Sequence, residues 1–239
     1  MGKLLVSMMP PVGNWFVDAF AGRGNVTWAA MTCRMGYKQW WMNDLYTADF
    51  LRAIQTHGAA IEIPLTIPAM RHQYKNFFTR IKKDGLPHTI ESLLLEPHVS
   101  RGGGGYSGGG PASTGNAKAE TFAATLRTCH DLMCEKRPIV TAYGWRDLPW
   151  NKFGHRDLVF LDPPYYNADV RCYDPLPEQD YVDMVKLLSK ARFKWMLTEY
   201  RDRFPLYVKV LGEPIYTKQT TSVVSNDGSI RNECIWTNY

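Results

Sequence analysis

Trp15-Phe16-Val17-Asp18-Ala19-Phe20-Ala21-Gly22-Arg23-Gly24-Asn25 decides the fold of this chain. Trp15 to Phe20 is a mostly apolar run that reads as a buried strand, with one acid, Asp18, inside it. Gly22 and Gly24 then break the run, and a helical pattern follows from Asn25 to Met35. A strand that enters a glycine turn and leaves as a helix opens a parallel α/β unit. Lys38 to Asn43, carrying Trp40, Trp41 and Met42, reads as the next strand and ends at Asp44. Asp49 to Thr56 continues as a short helix. This alternation predicts a doubly wound, mostly parallel sheet.

The second half repeats the pattern. Strands are expected at Pro138 to Tyr143, ending near Trp145-Arg146-Asp147, at Leu158 to Leu161 and at Phe193 to Thr198. A helix is expected at Glu178 to Ala191, with Val182, Val185 and Leu188 on one face. Tyr207 to Leu211 and Cys234 to Thr237 read as a closing pair of strands. Between the halves the alternation breaks. Met70 to Lys83 spaces Tyr74, Phe77, Phe78 and Ile81 as a helix does, with basic residues between them. Ser100 to Pro111 is a loop, its glycines running through 102–110, because glycine loses too much entropy in regular structure. A helix resumes from Lys118 to Glu135. The expected organisation is therefore a catalytic domain from 1–50 and 138–239, interrupted by an inserted region at 51–137.

Composition narrows the classes. The chain has 239 residues, enough for one α/β domain with an insertion. No apolar run reaches the roughly 18 residues of a membrane span, and Met1 to Ser7 is too short for a signal peptide. The five cysteines, Cys33, Cys129, Cys134, Cys172 and Cys234, are odd in number and form no CxxC pair. Neither a disulfide framework nor a zinc site is indicated, and a reducing cytoplasm is the expected setting. The net charge is +5, and Leu51 to Arg137 holds 11 Lys/Arg against 7 Asp/Glu, with five of the six histidines. A polyanion would meet such a region, although charge alone fits a solvated surface equally well.

The chemistry points to Leu161-Asp162-Pro163-Pro164-Tyr165-Tyr166, at the mouth of the apolar run Leu158-Val159-Phe160. An aromatic amine is a poor nucleophile because its lone pair is delocalised into the ring. Two acceptors aimed at its N–H bonds localise that pair, most effectively where water is excluded. Asp162 offers a carboxylate. The Pro163 carbonyl offers a second acceptor, held by the restricted backbone of Pro163 and Pro164. Tyr165 offers a flat face for a base, worth about 1–3 kcal/mol in stacking. A proline-rich turn closing a strand is the plainer alternative. At the other end, Gly22 and Gly24 let backbone approach a ligand at an electropositive helix start. The full GxGxxG fingerprint is absent, since Thr27 stands at the third glycine position. Asp18 could meet the ammonium of a methyl donor. Asp44, 26 residues later, suits a ribose diol. Either acid alone could be a helix cap.

Together these motifs resemble the Dam-like class of adenine-N6 DNA methyltransferases. Phe20-Ala21-Gly22-Arg23-Gly24 is similar to the FxGxG motif of that class, and Asp162-Pro163-Pro164-Tyr165 to its catalytic motif. The order, donor motif then insertion then DPPY, is also similar. Gly2-Lys3 resembles the end of an N-terminal GGK element, with Met1 replacing its first glycine. Asn43-Asp44 resembles the acidic ribose motif, and Trp145-Arg146-Asp147 the segment whose acid meets the donor's adenine. Glu233 to Tyr239 resembles the closing E-x-x-x-x-N-Y strand. The insertion resembles the class only in its placement.

The resemblance implies a Rossmann-like methyltransferase sheet with an inserted recognition region. S-Adenosylmethionine would be held by Lys3, Asp18, Phe20, Gly22, Gly24, Asp44 and Asp147, and the flipped base by Asp162, Pro163, Pro164 and Tyr165. Double-stranded DNA is the implied partner, met by Arg71, Lys75, Arg80, Lys82 and Lys83 on phosphates. Arg101 and Tyr106, in the glycine-rich loop, would act where the base leaves the stack. Transfer should be direct, without metal or covalent enzyme intermediate. Cytosine-N4 methylation, an RNA or protein amine as acceptor, and a non-catalytic DNA-binding subunit are the alternatives. A dehydrogenase is disfavoured by the missing third glycine. A monomer or weak dimer without membrane contact, in a bacterial or phage-infected cytoplasm, completes the expectation, with restriction-modification among the roles considered.

Overall fold

A computed structural model describes residues 2–58, 119–167, 175–201, 204–221 and 230–239, together with 72, 75, 76, 79, 89, 90 and 92–94. Its contacts form two units. The first comprises Met1–Leu45, Thr141–Val170 and Asp174–Tyr239, and the second Tyr46–Val140 with Arg171–Tyr173.

The first unit is built on seven strands: β1 Val12–Asp18, β2 Gly36–Asn43, β3 Ile139–Thr141, β4 Leu158–Leu161, β5 Lys194–Tyr200, β6 Tyr216–Thr221 and β7 Ile230–Thr237. They form one sheet in the order β3-β2-β1-β4-β5-β7-β6. β1 pairs in parallel with β2 and β4, and β4 with β5. β7 enters antiparallel between β5 and β6. The sheet is therefore Rossmann-like and mostly parallel. Its order runs outward from β1 to β2 and β3 in one direction and through β4 and β5 in the other. With right-handed crossovers this reversal sends the two sets of helices to opposite faces. It also leaves a crevice beyond the carboxyl ends of β1 and β4.

Burial explains the pattern along each strand. All four residues of β4 are buried, as expected of a central parallel strand covered on both faces. β1 is exposed at Val12 and buried from Phe16 to Asp18. One core joins Val17, Val159, Leu161 and Leu197 to Tyr181, Met184, Val185 and Leu188 of helix α5. The helices bounded within the described residues are α1 Gly2–Met8, α2 Asn25–Thr32, α3 Ala48–His57, α4 Ala119–Lys136, α5 Glu178–Ser189 and α6 Leu206–Leu211. α1 packs on α2 in the first unit. In the second unit α3 packs along α4, burying Leu51, Ile54, Leu126 and Met133, and the His130 ring nitrogen Nδ1 lies 2.8 Å from the Ile54 carbonyl.

Most expected elements are found within a few residues of their expected bounds. One is corrected. Tyr207 to Leu211 is not a strand but lies in α6, and the antiparallel partner of β7 on the sheet edge is β6. Pro205 precedes the first turn of α6, where its fixed φ favours a helix start. Tyr207 is buried while Lys209 points to solvent. The expected helix at 70–83 lies mostly outside the described residues, although residues 72, 75, 76 and 79 are helical. The glycine-rich loop lies wholly outside them. No helix among the described residues is long and apolar enough to cross a membrane.

Candidate active site

The glycine turn after β1 is held in a conformation that selects for glycine. Gly22 has φ 51° and Gly24 has φ 77°. The two differ in surroundings. A Cβ on Gly24 would come within 2.7 Å of the Trp28 indole and the Met42 methyl, so Gly24 seats the first turn of α2 against β2. A Cβ on Gly22 would meet nothing within 4 Å. Gly22 is therefore glycine for its backbone and faces open space, as a ligand cradle requires. Its N–H donates to Asp44 Oδ2 at 2.8 Å, so the acid after β2 fixes the turn after β1.

Asn43 accounts for the alignment of these strand ends. Its Nδ2 donates to the carbonyls of Ala19 and Tyr143, both at 3.1 Å. Its Oδ1 accepts from the Thr141 hydroxyl at 2.7 Å and from the Tyr143 N–H at 2.9 Å. Every hydrogen-bonding position of a buried amide is thus used, and the segments after β1 and β3 are clipped to the end of β2. Asp44 is placed by this clip.

Asp18 ends β1 with 1% of its surface exposed. Oδ2 accepts from the Thr27 hydroxyl at 2.7 Å, while Oδ1 is buried without a hydrogen-bond partner. Burial pushes its pKa up to about 7, and the Asp162 and Asp44 carboxylates add to the rise, against hydrogen bonds from Thr27 and the Phe20 backbone N–H. Buried polar atoms are nearly always paired, so the Asp18 carboxylate has hydrogen-bonding capacity that the protein itself leaves unfilled. Asp18, at the end of β1, thus lies within electrostatic reach of both Asp44 and Asp162, at the ends of β2 and β4.

The Asp162–Tyr166 segment is anchored from three sides. The Thr198 hydroxyl of β5 donates to Asp162 Oδ1 at 2.5 Å. The Tyr181 hydroxyl of α5 donates to the Pro164 carbonyl at 2.6 Å. The Tyr166 N–H donates to Glu199 Oε2 at 3.0 Å. The Tyr165 hydroxyl donates to Glu233 Oε1 at 3.1 Å, and its ring stands edge-on to Tyr200 with centroids 4.5 Å apart. Asp162 reaches the surface, yet the protein packed around its carboxyl raises its pKa, against hydrogen bonds from Thr198 and Tyr165. Burial likewise holds the Tyr165 phenol well above its ordinary value, so it remains a donor.

The other expected residues are placed less centrally. Phe20 is half-buried and packs on the core. Lys3 is exposed on α1. Asp147 is exposed in a 3-10 turn, its Oδ2 folded back to 2.8 Å from where a Cβ on Gly144 would stand. Beside it Arg146 bridges Asp180 and Asp183 of α5 and lies over the Trp145 ring. Lys75 is exposed, whereas Arg71, Arg80, Lys82, Lys83, Arg101 and Tyr106 lie outside the described residues. The described residues hold no group of three or more His, Cys, Asp or Glu able to hold a metal ion.

Thr198, Glu199 and Tyr181 were not singled out from the sequence, whereas Glu233 stands there as the acid of the closing E-x-x-x-x-N-Y pattern, without a role at the site. A signal existed for two of them. Thr198-Glu199 interrupts the apolar run Trp195-Met196-Leu197 at the carboxyl end of a strand, where α/β folds put their ligand-binding side chains.

No protein-family model matches the chain, and no curated protein matches it. Solved structures do resemble it in outline. One is a conserved hypothetical protein of Streptococcus pyogenes, with 12% identity, 100% of this chain and 96% of that chain covered, and a TM-score of 0.39. Another is the rRNA methyltransferase aviRa from Streptomyces viridochromogenes, with 13% identity, 98% and 81% covered, and a TM-score of 0.43.

Proposed function

We propose that this chain is a methyltransferase that uses S-adenosylmethionine and delivers the methyl group to N6 of an adenine extruded from duplex DNA. The observation that carries the reading is Asp18 at the end of β1, beside the β1/β4 reversal and within electrostatic reach of Asp44 and Asp162, with one of its buried oxygens unpartnered and open space at the Gly22 turn that follows. When bound, the donor supplies an electrophilic methyl on a cationic sulfur. Asp18 would hold its ammonium group, the Gly22 turn would leave room for its body, and Asp44, which fixes that turn, would hold its ribose. Lys3, Phe20 and Asp147 complete its surroundings.

Asp162 and the Pro163 carbonyl accept the two N–H bonds of the target amine and so localise its lone pair for attack. Pro164 keeps that backbone rigid, and Tyr165 meets the base plane. The amine's proton passes to solvent after transfer. The inserted region 51–137 supplies target recognition through its excess of positive charge, with Arg71, Lys75, Arg80, Lys82, Lys83, Arg101 and Tyr106 as the DNA contacts. The DPPY sequence and the basic insertion support DNA adenine as the acceptor.

Tritiated methyl transfer to duplex DNA, challenged by an excess of RNA, tests the acceptor class. Label that enters DNA and resists the RNA supports the reading. Label found only in RNA or protein overturns the choice of DNA.

A further inference from the structure

The acceptor site rests on two side chains that belong to neither the DPPY segment nor the glycine turn. Thr198 lies in β5, immediately beside β4, with 3% of its surface exposed. Its hydroxyl meets Asp162 Oδ1 at 2.5 Å and the Leu161 carbonyl at 3.4 Å, with the Tyr165 hydroxyl also within hydrogen-bonding reach. The shorter contact to a carboxylate is the stronger by far. A rotatable carboxylate is thereby held through Oδ1, and the Tyr165 hydroxyl bears on the same carboxylate. Glu233 lies in β7, across from Tyr200 in the β5 register. It accepts from the Tyr165 hydroxyl while Tyr200 supports the ring edge-on, so the ring has a fixed tilt.

We propose that Thr198 and Glu233 are the positioning residues of the acceptor site, Thr198 orienting the Asp162 carboxylate and Glu233 fixing the Tyr165 ring. The proposal rests on the methyl-transfer reading for its consequence in rate, but not for the two contacts themselves. β5 and β7 are neighbours in the sheet, so both props come from one antiparallel pair. A hydrogen bond to the ionised carboxylate favours that form. Thr198, with Tyr165, thus works against the burial and the Glu233 and Asp18 carboxylates that face Asp162, and its loss moves the Asp162 titration further up.

The test compares Thr198→Val, Thr198→Ser, Glu233→Ala, Tyr165→Phe and the Glu233→Ala/Tyr165→Phe pair with the native chain and Asp162→Ala. Valine has the shape of threonine, so the fold is retained, as unchanged thermal unfolding would show. Thr198→Val is expected to lower kcat roughly 10- to 100-fold, the scale of a misplaced catalytic group, with donor affinity unchanged. Its acid limb of kcat/KM should move to higher pH, and Thr198→Ser should restore both. Glu233→Ala and Tyr165→Phe should each raise the acceptor KM several-fold, and the pair should raise it by less than the product of the two, the Tyr165 contacts to Asp162 and Thr198 accounting for the remainder. A native rate and pH profile in Thr198→Val, or fully additive effects in the pair, would overturn the corresponding half.

Carbon-13 NMR of the Asp162 carboxyl, assigned by its absence in Asp162→Ala, reads the Thr198 contact without any activity. If the native chain methylates nothing, the functional reading fails, while a raised Asp162 titration in Thr198→Val still supports the contact. An unmoved titration sinks it.

Discussion

A buried carboxylate with an unpaired oxygen costs folding energy, and Asp18 is such a group. Its pKa near 7 means the folded chain holds a proton there that the unfolded chain, at the ordinary 3.8, releases. The stability from that proton is therefore complete below about pH 4 and is lost as pH rises through about 7. Asp18→Asn is accordingly expected to raise the melting temperature at pH 8 and to change it little at pH 4, as calorimetry can check. The same substitution should abolish donor binding. In the native chain donor affinity should rise between pH 6 and 7.5, since only the ionised Asp18 attracts an ammonium group. Asn43 shows the opposite economy, with all its positions filled inside the protein. Asn43→Ala leaves several buried partners unsatisfied and should cost about 2–4 kcal/mol in denaturant unfolding.

At the scale of elements, Gly24 carries a folding role, and the proposal gives Gly22 a ligand role. Gly24→Ala meets both a left-handed backbone and the Trp28 ring, and should destabilise by about 1–3 kcal/mol. Gly22→Ala meets only the backbone cost, so it should unfold less readily than Gly24→Ala yet weaken donor binding more. Paired denaturation and donor titrations of the two variants decide this. The legible elements were those whose signal is local. The β1–turn–α2 unit and the apolar β4 before Asp162 can be read from a dozen consecutive residues. α6 could not, because Tyr207-Val208-Lys209-Val210-Leu211 is too short for its period to separate helix from strand. β6 is a polar edge strand, Tyr216-Thr217-Lys218-Gln219-Thr220-Thr221, without an apolar run to betray it. Asp18, Asp44 and Asp162 were readable because each ends a strand. Thr198 and Glu233 meet their partners across 36 and 68 residues, and only the sheet order brings them there.

For the whole molecule, the sheet supplies the chemistry in this account and the basic insertion supplies the acceptor. Binding through phosphates is salt-dependent, since each neutralised phosphate releases counterions. The acceptor KM should therefore rise steeply with salt while donor affinity changes little. Replacing Arg80, Lys82 and Lys83 by alanine should raise that KM and flatten its salt slope. The most direct measurement of the central claim is nucleoside mass spectrometry of mixed genomic DNA incubated with S-adenosylmethionine and either the native chain or Asp162→Ala. N6-methyladenine from the native chain and none from the variant is the predicted result. No methylated nucleoside from the native chain, or equal product from both, would contradict the assignment of the site.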